Sequence, residues 1–247
     1  MAISSEGITF AVLAAGEGSR LRQEGIQVPK PLVTLGGETL LQRLLRIFKC
    51  NGAAQVIVSA NRQMGGLAQH LACLRQTEPL LDYVLCAPPS SMHSLYELAP
   101  RLKGAPFCLT TVDTVFPEPE FAQYVTAFRE LIAAGEADGL MGVTRFIDDE
   151  KPLYVQVDEA TGSITQFLDA DPNPTFVSAG IYGLTPRALQ TLTACIGRGE
   201  SRMRNFQRSL LADGFRLKAF EFSKVFDIDH ASDIQKAKDY LNFSNYV

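Results

Sequence analysis

What most limits the fold of this chain is a single stretch near its start. Residues 8–14 (ITFAVLA) form an unbroken apolar run of strand length that passes directly into Ala15-Gly16-Glu17-Gly18. A strand without polar alternation is buried on both faces, which predicts a parallel sheet with helices above and below it. The small residues that follow let backbone N–H groups approach an anion closely, because glycine tolerates the φ angles that turn those groups inward. The loop is therefore a candidate phosphate cradle.

The rest of the chain continues this pattern. Thr39-Leu40-Leu41-Gln42 has capping-box spacing, and the apolar stripe after it stops at Asn51-Gly52, which predicts a helix between them. Strands are expected at 55–59, 82–86 and 107–112, with helices at about 62–74 and 94–102 between them. Such alternation implies βαβ units. After about residue 116 the rhythm changes. A helix at 120–134 precedes strands at 139–145, 154–157, 164–167 and 176–183, and the turn Asp158-Glu159-Ala160-Thr161-Gly162 separates two of them. Helices at 186–196 and 205–211, strands at 215–220 and 225–228, and a closing helix opened by Ser232-Asp233-Ile234-Gln235 complete the chain. The expected fold is α/β, a Rossmann-like, mostly parallel mixed sheet with helices on both faces. It reads as one domain over 1–247 with two functional halves, about 7–116 and 117–247.

Composition narrows the function. With 247 residues, 46% hydrophobic and 20% charged, the chain can bury a large core without staples. Five cysteines with no C-x-x-C pair argue against a disulfide framework and a zinc site, and read as mostly reduced core residues. A net charge of −4 offers no basic footprint for nucleic acid. No run approaches the roughly 20 apolar residues of a membrane span, and the first residues lack the basic and apolar regions of a leader. A cytoplasmic location without membrane or nucleic-acid partners is expected, and homo-oligomerisation is compatible with the sequence.

The glycine loop excludes two familiar phosphate binders. A dinucleotide fingerprint would need Gly at position 21, which is Leu21, and the G-x-x-x-x-G-K-[ST] P-loop is absent. Pro29-Lys30-Pro31-Leu32 follows instead, a lysine whose position is restricted by prolines on both sides. Together, Leu13-Ala14-Ala15-Gly16-Glu17-Gly18-Ser19-Arg20-Leu21 and Pro29-Lys30-Pro31-Leu32 resemble the signature of nucleotidyltransferases that make nucleoside diphosphate sugars. The resemblance implies a glycosyltransferase-A-like fold. It also implies that Leu13, Ala14, Ala15, Gly16, Gly18 and Ser19 wrap the nucleotide, while Arg20 and Lys30 stabilise the triphosphate and the pyrophosphate leaving group.

Further segments extend the likeness. Asp113, in Thr110-Thr111-Val112-Asp113, ends a predicted strand where open α/β sheets bind ligands, and it resembles the family's metal aspartate. A second acid lies in Val225-Phe226-Asp227-Ile228-Asp229-His230. Asp227 and Asp229 both match, on competing alignments; alternation along a strand would turn both to one side, and Asp229 is preferred. Asp169 and Ser178 occupy the positions that hold sugar hydroxyls in the family, although Asp169 replaces a Glu and Ala170 stands where a Lys follows it. Cys86 and Ser91 occupy the base-reading positions and depart from the uridylyl pattern, while Met92-His93-Ser94-Leu95-Tyr96 looks more like phosphocholine cytidylyltransferases of this fold. Lys224 could reach the acceptor phosphate.

The implied reaction is Mg²⁺-dependent nucleotidyl transfer from an NTP to a sugar-1-phosphate, with a phosphocholine-type or other small alcohol phosphate as the alternative acceptor. A phosphate with a second pKa of about 6 is already largely ionised at neutral pH, so no general base is needed. That agrees with three histidines, His70, His93 and His230, that form no cluster in the sequence. A non-catalytic nucleotide-binding module is the alternative from a different class. A nicotinamide oxidoreductase is opposed by Leu21 and by Ser59-Ala60-Asn61, which supplies no acid at the end of the second strand.

Overall fold

The computed structural model describes residues 7–148 and 150–244. In chain order the first half contains β1 (Ile8–Ala14), α1 (Ser19–Gln23), β2 (Thr34–Leu35), β3 (Glu38–Thr39), α2 (Leu40–Cys50), β4 (Ala53–Asn61), α3 (Leu67–Thr77), β5 (Leu81–Cys86), α4 (Ser91–Leu98), β6 (Phe107–Thr111) and β7 (Thr114–Val115). The second contains α5 (Glu118–Ala133), β8 (Gly139–Thr144), β9 (Tyr154–Asp158), β10 (Ser163–Leu168), β11 (Phe176–Leu184), α6 (Ala188–Gly197), α7 (Met203–Ala212), β12 (Leu217–Phe222), β13 (Phe226–Asp227) and α8 (Ala231–Ser244). The α/β class with a mixed second half is as expected.

One nine-stranded sheet, in the order β5-β4-β1-β6-β11-β8-β12-β10-β9, runs through both halves. Its first four strands are parallel, and β11 lies antiparallel between β6 and β8. The apolar run of β1 divides by alternation. Phe10, Val12 and Ala14 enter the layer packed by α2, α3, α5 and α8, whereas Ala11 and Leu13 enter the layer packed by α4, α6 and α7. Each face of β1 thus belongs to a different core, and this is why its one polar residue, Thr9, lies at the partly buried start of the strand and everything after it is apolar. Phe10 stacks on Phe48 of α2 with ring centroids 4.4 Å apart.

Because β1 is flanked by β4 and β6, the chain leaves it in one direction and returns on the other side. The carboxyl ends of β1 and β6 open at this reversal, the crevice where sheets of this kind hold ligands. The loop after β1 and Asp113 after β6 both lie there. A short antiparallel ribbon, Phe226 opposite Val115 and Asp227 opposite Thr114, brings the end of the chain to the same place.

Local signals explain most boundaries. Thr39 and Gln42 form the reciprocal capping box at the start of α2. The helix expected from residue 62 begins later, at Leu67, because Gly65-Gly66 forms a turn with Gly66 at φ 78°. The capping box expected at Ser232 does not form. The last helix starts one residue earlier, at Ala231, and Asp233 accepts from the amides of Asp229 and His230 instead. Cys86, Cys108 and Cys195 are buried as expected, but Cys50 and Cys73 are exposed on helix surfaces.

Gly183 of β11 packs against the ring of buried Phe128, and a Cβ there would lie 2.7 Å from a ring carbon. A Gly183→Ala variant should therefore lose about 1–3 kcal/mol of stability in urea unfolding. An unchanged midpoint would mean that α5 can move away from the sheet freely.

Candidate active site

Lys30 is the centre of the site. It opens a single 3₁₀ turn between Pro29 and Pro31, and the prolines hold its backbone while α1 and the glycine loop pass beside it. Gly18 caps α1 in the left-handed region at φ 60°, with the position of its missing Cβ 3.4 Å from Lys30 Cβ. Any side chain there would strain the backbone, and its Cβ would sit in contact with Lys30. The loop is anchored from below by buried Asn61, whose amide donates to the Ala15 carbonyl at 3.3 Å.

The Lys30 ammonium donates to Asp113 and, at 2.8 Å, to Asp229 Oδ1. It is 11% exposed, against 14% for Asp113 and 45% for Asp229. Burial alone would lower the Lys30 pKa, but the charges and hydrogen bonds of the two aspartates outweigh it and raise the group above its ordinary value. Arg20 of α1 approaches Asp229 Oδ2 at 3.3 Å and Glu150 at 3.7 Å, and stays half exposed. Three sequence-distant groups, Lys30, Asp113 and Asp229, therefore meet within hydrogen-bond reach, with Arg20 at the rim.

Two devices place Asp113. The Leu13 carbonyl accepts from the amide of Val112 at 3.1 Å, and the Asp113 carbonyl accepts from the amide of Ile228 at the same distance. Beyond β7, Arg43 of α2, almost wholly buried, donates to the Phe116 carbonyl at 3.0 Å and lies over the Phe116 ring. Neither was signalled by a motif, since Arg43 sits inside an otherwise ordinary apolar stripe.

Asp227 and Asp229 differ in placement. Strand β13 ends at Asp227, so alternation along one strand does not relate the two acids; Asp229 lies past the strand at the entrance to α8. Its amide and that of His230 donate to Asp233 at 3.1 and 2.8 Å. Glu24, just past α1, accepts from the amide of Ala231 at 2.6 Å and hydrogen-bonds His230 Nδ1 at 2.6 Å. That pairing lowers the Glu24 pKa and raises that of His230. Asp227 keeps exposed surface along β13, yet the surrounding protein removes enough of its hydration to matter. Desolvation first, then the charges of Asp113 and Asp229, push its carboxyl up to about 7.

The other predicted residues are spread more widely. Cys86 is buried, its Sγ directed at the Ala60 carbonyl 3.8 Å away, and burial raises its thiol pKa. Ser91 is exposed at the first turn of α4, where Ser90 caps the helix and holds His93 Nδ1 at 2.9 Å. Ser178 donates to buried Gln207 at 3.2 Å, and Gln207 in turn reaches the Tyr182 hydroxyl at 3.4 Å. Asp169 is engaged by two arginines of α7, Arg204 at 2.5 Å and Arg208 at 2.9 Å. From the sequence, Lys224 could reach the acceptor phosphate or be no more than an exposed strand-end lysine. Its ammonium lies over the rings of Phe146, Tyr240 and Phe226, at 4.4, 5.0 and 5.3 Å, where cation–π attraction holds it.

Asp113 and Asp229 direct their oxygens at one cation, the ammonium of Lys30. Hard carboxylate oxygens in that arrangement suit Mg²⁺, which is commonly held by one or two carboxylates and completes its shell from phosphates and water. Among the described residues, no three His, Cys, Asp or Glu side chains form a closed metal cage, as an all-protein site would require. Among the described residues, no helix is long and apolar enough to cross a membrane.

Comparison with known proteins gives a consistent picture. Residues 10–210 match the family model of the MobA-like NTP transferase domain. A bifunctional IPC transferase and DIPP synthase from Rubrobacter xylanophilus is 27% identical over 245 residues, covering 96% of this chain and 52% of that protein. The chain spans about half the length of the curated relatives it matches. A putative glucose-1-phosphate thymidylyltransferase from Bacillus anthracis superposes with a TM-score of 0.80 at 16% identity, covering 94% of each chain. The inositol-1-phosphate CTP transferase from T. maritima superposes with a TM-score of 0.74 at 19% identity, over 95% of this chain and 98% of the other. At these identities the likeness is one of fold.

Because Asp227 binds its proton more tightly folded than unfolded, its contribution lowers stability progressively as pH rises from about 4 through 7. In chelator-containing buffer, Asp227→Asn should raise Tm more at about pH 8 than at about pH 5. An equal shift at both values would show that Asp227 titrates as an ordinary surface acid.

Proposed function

The chain belongs to the family of MobA-like NTP transferase domains, and on that premise we propose that it transfers a nucleotidyl group from an NTP to a sugar-1-phosphate, releasing pyrophosphate. The observation that carries this reading is the convergence of Lys30, Asp113 and Asp229 beside the glycine loop, at the reversal point of the sheet. Residues in the 7–116 half, with Leu13, Ala14, Ala15, Gly16, Gly18 and Ser19 around the phosphates and Ser91 near the base, would take the nucleotide. The 117–247 half would take the acceptor.

The chemistry joins two anions and expels a third, so the obstacle is charge and alignment rather than proton transfer. The acceptor phosphate, with a second pKa of about 6, enters already ionised. Asp113 and Asp229 would hold Mg²⁺, with Asp227 as a neighbouring acid. The ion's contribution is to neutralise phosphate charge. Lys30, placed by its prolines, would present its ammonium to the α-phosphate and the leaving pyrophosphate, which requires it to leave the position between Asp113 and Asp229 that it holds in this structure. Arg20, at the exposed rim, adds a second positive charge there. Both groups act on charge that spreads during the transfer.

A second acceptor class is favoured by one observation. Asp169 stands where the family's sugar-binding acid is expected, yet Arg204 and Arg208 already occupy it. A small alcohol phosphate, which does not need that acid, is therefore the alternative, and the T. maritima fold neighbour is named for such a substrate. Pyrophosphate release measured for each of five NTPs against mannose-1-phosphate, glucose-1-phosphate, inositol-1-phosphate and phosphocholine separates the two. Release with none of these, despite nucleotide binding, would support a binding module instead.

Lys30→Ala and Asp113→Asn should each lower kcat/KM by about 10² or more, roughly 2.7 kcal/mol, with circular dichroism unchanged. Variants within threefold of wild type would remove these residues from the mechanism. A nucleotide at one hundred times its Kd should stabilise the protein by about 2.7 kcal/mol, visible as a rise in Tm. If no NTP shifts Tm with or without Mg²⁺, the glycine loop is not a triphosphate site.

A further inference from the structure

The entrance to α8 is held from outside itself. Three consecutive backbone amides, those of Asp229, His230 and Ala231, all donate to carboxylates: the first two to Asp233, the third to Glu24. Glu24 also holds the His230 ring with its other oxygen at 2.6 Å. It lies 207 residues before Ala231 in the chain and immediately follows α1, the helix that carries Arg20. The nucleotide loop therefore grips Asp229 at two points, through the Arg20 side chain at 3.3 Å and through Glu24 on the backbone just beyond it.

These two ties differ in what the reaction asks of them. On the reading proposed above, on which this inference rests, Arg20 turns to the triphosphate and releases Asp229. Glu24 has no such task, because both of its oxygens face α8 and neither touches Lys30, Asp113 or Asp229. It is then the tie that keeps Asp229 opposite Asp113 while the nucleotide is bound. We propose that Glu24 is a positioning residue for Asp229, a latch that couples the nucleotide loop to the second carboxylate of the cation site. The two contacts are directional and bidentate, so the latch fixes an angle as well as a distance. An error of about 1 Å in a group that must align reacting atoms is enough to cost about 10²-fold in rate.

The test is a Mn²⁺ titration followed by electron paramagnetic resonance, with CTP present and in parallel with ATP, GTP, UTP and dTTP. Glu24→Ala should weaken Mn²⁺ binding to the nucleotide complex by about tenfold or more. Its affinity for the same nucleotide in chelator, and its Tm without ligands, should stay close to wild type. Glu24→Gln, which still offers an oxygen to the Ala231 amide, should recover most of the loss. His230→Ala, which removes only the ring contact, should lose less than Glu24→Ala. Unchanged Mn²⁺ affinity in Glu24→Ala overturns the latch, as does a parallel fall in metal-free nucleotide affinity, which would mark a general loosening of the loop. Wild-type protein that binds a nucleotide but no Mn²⁺ leaves the latch nothing to position and overturns it too. Wild-type protein that binds no nucleotide overturns the functional reading first, and the latch with it.

Discussion

One ammonium group organises this molecule's candidate site. Lys30 is close to buried and would be costly there alone, since a charge removed from water needs a compensating partner. It has two, Asp113 and Asp229, which would repel one another without it. The three charges are thus mutually dependent: the lysine justifies the pair of acids, and the acids justify the lysine. Each comes from a different part of the fold, so the group also reports that β1, β6 and the chain's end have reached their places. The apolar run of β1, the return through β6 and the β7–β13 ribbon are the means by which a sheet delivers three such groups to one point.

Parts of this were legible in the sequence because they are local. The two-sided burial of β1, the capping box of α2 and the glycine-rich turn are each written in consecutive residues, and the mixed α/β architecture follows from their order. Proline on both sides of Lys30 marks it as a fixed group within four residues. Asp113 was visible as an acid at the end of a predicted strand. In all these cases the physical cause and the signal occupy the same short segment.

What was not legible depends on partners far away in the chain. Strand alternation made Asp227 and Asp229 look equivalent, but β13 ends between them and Asp229 takes its position from Glu24 and Asp233. Lys224 looked free, because Phe146 and Tyr240, two of the three rings beneath it, belong to other segments. Asp169 looked like an open carboxylate, because Arg204 and Arg208 sit on a helix 35 or more residues later. Arg43 gave no sign at all: a buried arginine in an apolar stripe is recognised only once the Phe116 carbonyl is seen to need its donor. Long-range electrostatics, unlike periodicity, leaves no local pattern.

The position of Asp229 also has a meaning in time. Lys30 and Asp113 come early in the chain: Lys30 sits on the 3₁₀ turn that follows β1 and α1, and β6, which leads into Asp113, pairs directly with β1. Asp229 arrives 199 residues after Lys30, at the start of α8 and beyond the segment matched by the family model. Until that helix docks, the lysine faces one carboxylate instead of two. The charge triad is thus the last part of this site to be completed along the chain, and it exists only where residues made 199 positions apart have met.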